Sequence, residues 1–376
     1  MNKVILLIIG MILFYSCSEP DEKKDYPILK VSLESTAVSL DSVFSHLELI
    51  PLETNDSCLL IGIDKLICFE ERFYVLDVQR PALYIFSKSG NFIQQISRKG
   101  NGPGEYNMIY DFYIDENERK IGLLSPYGYL LIYDLNGVFL EKRGLPVKPN
   151  YYSVSDMDAK SIALWSCVDK SEKGITVLEK DSFSIMNAFW NNDRIFDMGN
   201  MKPFYRYRGE LYFTTAYQNI VYKLKQDSIT PAYQWDFGKG GIHESLLQKY
   251  LDIENDSERN NRLLNDLSDG TFPFLMNSHN QNDMYYYVSL QKGLGNKRKY
   301  INVFYRKADG KSFVFEKTSE GMSLHPLTFT EDYIISAINV NECDSFKNYL
   351  STEDYSILKY YTSEDNIILV RFDFRK

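Results

Sequence analysis

The segment Leu130–Arg143, LLIYDLNGVFLEKR, carries the pattern that predicts the fold. Two short apolar stretches flank an Asn-Gly pair, a strong signal for a tight β-hairpin turn because glycine adopts positive φ freely and asparagine tolerates it. Side chains alternate between the two faces of a strand, so Leu130, Ile132, Val138 and Leu140 are expected to be buried. The segment therefore predicts one antiparallel hairpin.

Similar hairpins recur along the chain. They are found at Leu83–Ile96, Ile175–Phe189, Asn219–Phe237 and Ile301–Thr318, with a half-length copy at Ile367–Phe374. Together with the hairpin at Leu130, the first four hairpins of the chain begin at residues 83, 130, 175 and 219, which are 47, 45 and 44 residues apart. A spacing of roughly 40–50 residues is typical of the four-stranded blades of a β-propeller. The repeat predicts an all-β, six-bladed β-propeller in which each hairpin forms the outer two strands of a blade.

The longest interval between hairpins contains a helical pattern at residues 241–270. Ile242, Leu246, Tyr250 and Leu251 recur at helix spacing, and Leu263 begins a second apolar stripe. The pattern predicts a helical insertion between blades four and five. The insertion either packs on the outside of the ring or forms a lid over one mouth of the central channel.

The sixth hairpin has one strand only before Lys376. Propellers commonly close the ring by borrowing a strand from the other end of the chain, which removes an exposed edge. Tyr26–Leu33, YPILKVSL, is the candidate for this strand, and Leu40–Glu53 is expected to lead into the first blade. The fifth blade is expected to begin at Asp283–Leu290.

The N-terminal residues are predicted to lie outside the propeller. A basic start precedes Val4–Tyr15, an apolar run with the length of a signal-peptide core and too short to span a bilayer. The Ser16-Cys17 junction resembles a bacterial lipoprotein signal, with cleavage before Cys17 and lipidation of its sulfur; a plain signal peptide is the alternative. The predicted organisation is a signal peptide (1–16), a tether (17–25) and a propeller (26–376) that meets the membrane through its lipid anchor only.

Two motifs add a resemblance to a known family. The segment Leu40–Thr54, LDSVFSHLELIPLET, precedes the first blade, and Arg98–Tyr106, RKGNGPGEY, follows the first hairpin. Together with the hairpin spacing, they make the chain resemble the six-bladed β-propeller lipoproteins of Gram-negative bacteria that are related to NHL-repeat and TolB-like propellers. The resemblance implies an exported protein of the cell envelope, an outer-membrane lipoprotein exposed in some cases at the cell surface. It implies no activity.

The glycine-rich motif at residues 98–106 is the first candidate site. It lacks the Lys-Ser/Thr of a phosphate-binding loop, and Pro103 interrupts the glycine pattern of dinucleotide-binding proteins. It is either a tight crossover between blades or part of a binding rim. In the second case Arg98, Lys99 and Glu105 would make polar contacts with a ligand, and Tyr106 would stack on it.

Histidines and cysteines supply further candidates. His279 and His325 are 46 residues apart, about one blade. Either they face the channel from adjacent blades, as weak candidates for metal ligands, or they are two ordinary loop histidines at a chance spacing, which is the favoured interpretation. A catalytic zinc site normally needs three protein ligands, and the sequence shows no third one. We therefore predict no metal and no cofactor. The remaining cysteines, Cys58, Cys68, Cys167 and Cys343, are interpreted mainly as small buried hydrophobic residues, and only Cys58 and Cys68 form a pair to test for a disulfide.

Composition narrows the possible functions. The formal net charge of −9 argues against nucleic acid, because phosphate binding requires clustered Lys and Arg. The sequence contains neither a Gly-x-Ser-x-Gly nor a His-Glu-x-x-His motif. The favoured hypothesis is an exported, lipid-anchored binding protein whose ligand, a glycan, peptide or partner protein, lies on the loop face near the channel. The alternatives are a hydrolase or lyase acting on a carbohydrate or ester in the channel, and a scaffold that docks envelope proteins.

Overall fold

The computed structural model describes residues 24–146, 151–166, 173–191, 202–215, 217–242, 244–338, 347–362 and 364–376. Its strands form six antiparallel sheets, one of which carries a fifth strand. The sheets are the blades of a six-bladed β-propeller, as predicted. The predicted signal peptide, Cys17 and the tether up to residue 23 lie outside the described residues.

Two strands precede the first blade, and blades one to three follow in chain order with the innermost strand first. The early strands are β1 (Ile28–Lys30) and β2 (Phe44–Pro51). Blade one contains β3 (Lys65–Phe69), β4 (Arg72–Asp77), β5 (Ala82–Ser87) and β6 (Phe92–Ile96). Blade two contains β7 (Asp111–Asp115), β8 (Lys120–Ser125), β9 (Tyr129–Asp134) and β10 (Phe139–Gly144). Blade three contains β11 (Tyr151–Asp156), β12 (Ser161–Ser166), β13 (Lys173–Glu179) and β14 (Ile185–Asn191).

Blades four to six follow the same order and carry the helices. Blade four contains β15 (Phe204–Tyr207), β16 (Glu210–Phe213), β17 (Ile220–Leu224) and β18 (Ile229–Asp236). The helices α1 (Glu244–Leu251) and α2 (Asp256–Asp269) come next. Blade five contains β19 (Pro273–Gln281), β20 (Tyr285–Lys292), β21 (Lys299–Arg306) and β22 (Ser312–Phe315). Blade six contains β23 (Pro326–Phe329), β24 (Tyr333–Ile338) and β25 (Ile368–Phe374), with α3 (Thr352–Leu358) between the last two.

The hairpin Leu130–Arg143 forms the outer strands of blade two, as predicted, but its burial pattern was predicted only in part. Leu130 and Ile132 are buried, whereas Val138 and Leu140 are 55% and 47% exposed. The pairing of β10 with β9 shifts by one residue between Phe139 and Glu141. Val138 lies in the turn, where its carbonyl accepts from the N–H of Asp134, and the half-buried positions of β10 are Phe139, Glu141 and Arg143 rather than Leu140. Phe139 therefore packs against the ring of Tyr133 instead.

The strand that closes the ring is β2, not the predicted Tyr26–Leu33. It pairs antiparallel with β25 over Phe44–Pro51 and is the outermost strand of blade six. Its buried Phe44, Leu47 and Leu49 join the core beneath that blade. The predicted segment supplies β1 instead, which adds a fifth strand to blade four by parallel pairing with β18. Both strands cover sheet edges, but the longer strand with the more apolar inner face closes the ring.

The chain between these two strands crosses the rim of blade five. Thr36 donates its backbone N–H to the carbonyl of Val314, and Ser319 donates to that of Val38. Residues 28–51 therefore line the outer edges of blades four, five and six in turn. An unpaired strand edge invites association with other chains, so this segment protects half of the ring.

The helical insertion lies where predicted and packs on one face of the ring. Asn255 caps α2 by accepting a hydrogen bond from the N–H of Glu258, and Gly270 ends the helix at a φ of 68°. Leu263 and Leu267 pack with Phe272 and Phe274 at the start of blade five. The insertion therefore rests on this blade rather than beside the ring. Within the described ranges, no helix combines the length and the apolar composition needed to cross a bilayer.

The innermost strand of blade five begins ten residues earlier than predicted. The sequence pattern placed the start of this blade at Asp283–Leu290, which is largely β20, whereas β19 occupies Pro273–Gln281. The run from Asn277 to Asn282 is polar throughout, and asparagine is depleted in strands. A strand of this composition gives little strand signal, which explains the error.

Candidate functional site

The central channel is lined by the innermost strands β3, β7, β11, β15, β19 and β23. Two cavities lie along it, which we name by the direction of these strands. The upper cavity lies near their first residues and has a volume of about 430 Å³; the lower cavity lies toward their last residues and has a volume of about 360 Å³. Lys65, Lys202, Phe204 and Tyr205 line both cavities. The two cavities are therefore parts of one axial channel.

An ion-paired cluster joins blades one, two and three beside the channel. Lys65 Nζ lies 2.8 Å from Asp111 Oδ1 and also donates to the carbonyl of Phe112 at 2.7 Å. Asp111 Oδ2 accepts hydrogen bonds from Ser153 Oγ at 2.6 Å and from the N–H of Val154 at 2.9 Å. Asp111 is fully buried, so its charge requires these partners. The polar groups of this cluster bond to one another, and these bonds connect three blades.

A second buried cluster lies at the lower end of the same blades. Lys180 Nζ is 2.6 Å from Asp115 and 2.5 Å from Asp156, and Arg206 contacts Asp156 at 2.9 Å. Burial raises the pKa of Asp156, while Lys180 and Arg206 counteract the effect. Because Arg206 lies on β15, this cluster extends the ionic contacts to blade four. We call this cluster and the Lys65–Asp111–Ser153 cluster the ion-paired wall.

The opposite side of the upper cavity has a different chemistry. It is lined by four consecutive residues of β19: Asn277, Ser278, His279 and Asn280. None of these side chains is charged when the imidazole of His279 is neutral. The pairing of β19 with β20 shifts between Met276 and Ser278, which marks a bulge at Asn277. Bulges reorient side chains and are common next to functional sites. We call these four residues the neutral wall.

His279 is the most buried member of the neutral wall, with 4% of its surface exposed. Its side chain hydrogen-bonds the backbone of Pro203, and since proline has no N–H, the imidazole must be the donor. Nε2 is buried and has no hydrogen-bond partner among the described residues, so Nδ1 carries the proton. Burial lowers the pKa of His279 to about 3. The ring is therefore neutral at physiological pH, and its Nε2 is an acceptor.

Lys202 and two aromatic residues complete the wall near blade four. Lys202 Nζ donates to the carbonyl of Asp64 at 2.5 Å. Burial lowers the pKa of Lys202, and Asp111 counteracts this in part. Tyr205 packs edge-to-face on His279 with ring centroids 5.0 Å apart, and its hydroxyl accepts from Gln281 Nε2 at 2.8 Å. Phe204 is half-buried beside it. These rings hold the neutral wall in place and add an apolar surface to the channel.

The residues predicted from the glycine-rich motif lie away from this channel, in the crossover between β6 and β7. Tyr106 is 1% exposed, and its hydroxyl donates to the carbonyl of Ile96 at 2.6 Å, so its ring offers no face for the predicted stacking. Glu105 accepts from the N–H of Gly102 at 2.8 Å and stabilises the loop. Arg98 and Lys99 are exposed. None of the four lines either channel cavity.

The glycines of this crossover show why the motif is there. A Cβ at Gly100, whose φ is +154°, would lie 2.0 Å from the Glu105 carboxylate. Gly104 has a φ of +71°, and a Cβ there would collide with the ring of Phe139 in the next blade. The crossover therefore needs glycine for close approach and positive φ. Its sequence is explained by the path of the chain between two blades.

The two histidines line the same cavity. The described residues contain no group of three or more His, Cys, Asp or Glu that could hold a metal ion, so the pair stands without the third ligand of a catalytic zinc site. Cys58 and Cys68 are free thiols, and Cys58 is buried. Cys68 is inert, because burial raises its pKa to about 11. Cys167 and Cys343 lie outside the described residues.

Neither helix of the insertion lines the two cavities. The insertion reaches the ring through the loops at its upper face, where Tyr217 donates its backbone N–H to the carbonyl of Phe274. Asp269 at the end of α2 pairs with Lys297 in the β20–β21 connection. The helices thus pack over blades four and five beside the channel. The described contacts give the lid hypothesis no support.

The fold and the channel define a six-bladed β-propeller with a polar axial cavity. The chain belongs to the family described as Domain of unknown function (DUF4934), whose model matches residues 27–373. No curated protein matches this chain.

Two solved structures show the same fold. One is a protein of Bacteroides fragilis NCTC 9343 whose name describes it as exported: it is 21% identical with a TM-score of 0.76, and the match covers 93% of this chain and 100% of that one. The other is a member of the DUF4221 family from Bacteroides vulgatus ATCC 8482, 11% identical with a TM-score of 0.57, covering 89% and 97%. At these identities the likeness concerns the fold alone.

Proposed function

We propose that this protein is an exported, lipid-anchored propeller that binds a ligand in its axial channel. One observation carries the proposal: uncommitted polar side chains of the neutral wall line a cavity of about 430 Å³. This volume lies within the range of about 300–1,000 Å³ that is typical of small-ligand pockets. The carboxylates of Asp64, Glu116 and Asp156 line the channel cavities; Asp156 is held in an ion pair, and Asp64 accepts a hydrogen bond from the N–H of Val78 at 2.7 Å. The ion pairs of Asp111 and Asp156 join neighbouring blades, so these two carboxylates serve the ring.

Export and anchoring are supported by the N-terminal sequence. Its basic start, short apolar core and Ser16-Cys17 junction have the order of a lipoprotein signal. The name of the Bacteroides fragilis relative agrees with export. We expect the wild-type chain to sediment with envelope membranes and a Cys17→Ser variant to be released from them. Equal release of both chains would contradict the anchor.

Ligand binding is tested on the mature chain, residues 18–376. A ligand that binds only the folded state raises the melting temperature by mass action. We expect a glycan or a peptide to give a concentration-dependent shift that is lost when the neutral wall is altered. A panel of glycans, peptides and divalent metals that gives no shift at millimolar concentration would contradict a channel-binding function. Pull-downs from envelope extracts would then test the scaffold alternative.

A further inference from the structure

The polar run of β19 is exceptional for the most enclosed strand of its blade. Residues 277–282 read NSHNQN, whereas β3 and β23 read KLICF and PLTF. A polar group in such a position costs free energy unless it finds a partner in the protein or in a ligand. The run therefore requires an explanation from its contacts.

Its last two residues are explained by contacts within the protein. Gln281 donates to the hydroxyl of Tyr205 and accepts from Lys307 Nζ at 2.9 Å. Asn282 donates to the carbonyls of Thr330 and Glu331 and accepts from the N–H of Tyr285 at 2.7 Å. These two amides stabilise the connection between blades five and six.

Its first four residues make fewer contacts of this kind; His279 bonds to Pro203 only. The side chains of Asn277 and Ser278 make no hydrogen bond within the described part of the chain, and Asn280 Oδ1 accepts only the N–H of its neighbour Gln281 at 3.0 Å. His279 Nε2 is buried without a partner among the same residues. All four line the upper cavity. Donors and acceptors are thus concentrated on one wall of one cavity.

The groups on this wall indicate the chemistry of the ligand. An amide presents donors and an acceptor, and a hydroxyl presents both. The charged residues of this cavity have partners in the protein: Lys65 pairs with Asp111, Lys202 donates to the carbonyl of Asp64, and the Asp64 carboxylate accepts from the N–H of Val78. Phe204 adds an apolar surface between the two walls. A molecule with many hydroxyl groups and no net charge matches this set.

We propose that the upper cavity binds a neutral, hydroxyl-rich ligand of the saccharide class, with Asn277, Ser278 and Asn280 as its hydrogen-bonding residues. This inference rests on the proposed channel-binding function and assigns a ligand class to it. Hydrogen bonds from amides and hydroxyls replace those that the sugar makes with water. Phe204 contacts the apolar face of the sugar ring.

The test uses glucose, galactose, N-acetylglucosamine, maltose and cellobiose as probes against the mature chain, with glucuronate as the charged counterpart of glucose. We expect a neutral sugar to raise the melting temperature and to bind at least about tenfold more weakly to an Asn277→Ala/Asn280→Ala variant. The matched control is Asn91→Ala, an exposed asparagine in the outer turn of blade one, which should bind as the wild type does.

The outcomes separate the ligand class from the function. Glucuronate binding tighter than every neutral sugar would overturn the neutral ligand class. A peptide or metal that binds and is lost in the Asn277→Ala/Asn280→Ala variant would leave channel binding intact and overturn the saccharide inference. Equal sugar binding by the variant and the wild type would overturn the assignment of these residues. No binding by any probe would overturn the inference and the proposed function together.

Discussion

The two walls of the channel differ although both are built from the same repeated unit. On blades one to three, Lys65, Asp111 and Ser153 form a closed cluster in which every charge has a partner. On blade five, Asn277 and His279 present polar groups without partners among the described residues. The same position in a blade can therefore hold the ring together or remain available to a ligand. Charge is used for the first purpose and neutral polarity for the second.

Physical chemistry accounts for this division. A buried charge must be paired, because the desolvation cost of an isolated one is several kcal/mol. A neutral amide beside a channel can bond to water and exchange that water for a ligand at small cost. The comparison thus predicts that substitutions in the ion-paired wall change stability, and that substitutions in the neutral wall change binding.

The largest effect is expected for Asp111→Ala. The change removes the acceptor of Lys65, Ser153 and the N–H of Val154, and leaves the Lys65 ammonium without its counter-ion. Breaking a buried ion pair in this way costs about 3–5 kcal/mol. We expect the free energy of unfolding, measured by urea denaturation, to fall by this amount.

The control for this substitution is an exposed ion pair of similar length. Glu316 lies 3.0 Å from Lys299, and both side chains are solvent-exposed. Exposed pairs contribute about 0–1 kcal/mol, so Glu316→Ala should change the stability little. A loss for Asp111→Ala as small as that for Glu316→Ala would show that the ion-paired wall does not hold the blades together.

An intermediate and pH-dependent effect is expected for His279→Gln. The pKa of His279 is about 3 in the folded protein and near 6.5 in the unfolded chain, so between these values only the unfolded chain binds the proton. Stability is therefore complete above pH 6.5 and falls as the pH decreases toward 3. At pH 5 the loss from this group is about 2 kcal/mol.

Glutamine keeps an N–H donor for the Pro203 carbonyl and does not titrate in this range. We expect the His279→Gln variant to lose less stability between pH 7 and pH 5 than the wild type, as measured by denaturation at both values. His46→Gln on the exposed edge of β2 is the matched control and should follow the wild type. Parallel pH profiles for the wild type and His279→Gln would show that His279 is protonated normally and that the wall is not neutral.

Local chemistry made much of the fold predictable from the sequence. The Asn136-Gly137 turn and its counterparts fix hairpins, and their spacing indicates blades. The helical insertion was predictable because its apolar period is local as well. The choice of β2 over Tyr26–Leu33 as the closing strand was not, because it depends on which segment reaches β25 across the whole chain.

Of the candidate site, only the spacing of its residues along the sequence was predictable. His279 and His325 share a cavity at a separation of about one blade, and Lys65 and Asp111 form an ion pair at the same separation of 46 residues. Sequence spacing thus places residues at equivalent positions but does not show which of them pair. The neutral wall was missed because asparagine gives no strand signal. The glycine-rich motif drew attention for its composition, which the crossover between blades explains.

The smallest effect on stability is expected for Asn277→Ala, and this makes it the sharpest test of the comparison. Asn277 is exposed at a bulge, and its side chain makes no hydrogen bond in the described part of the chain. Substitutions of this kind usually change stability by less than about 0.5 kcal/mol. An unchanged melting temperature without ligand, combined with a reduced shift on adding a neutral sugar, would separate binding from folding at one residue. A melting temperature lowered as far as that of Asp111→Ala would mean that both walls serve the ring.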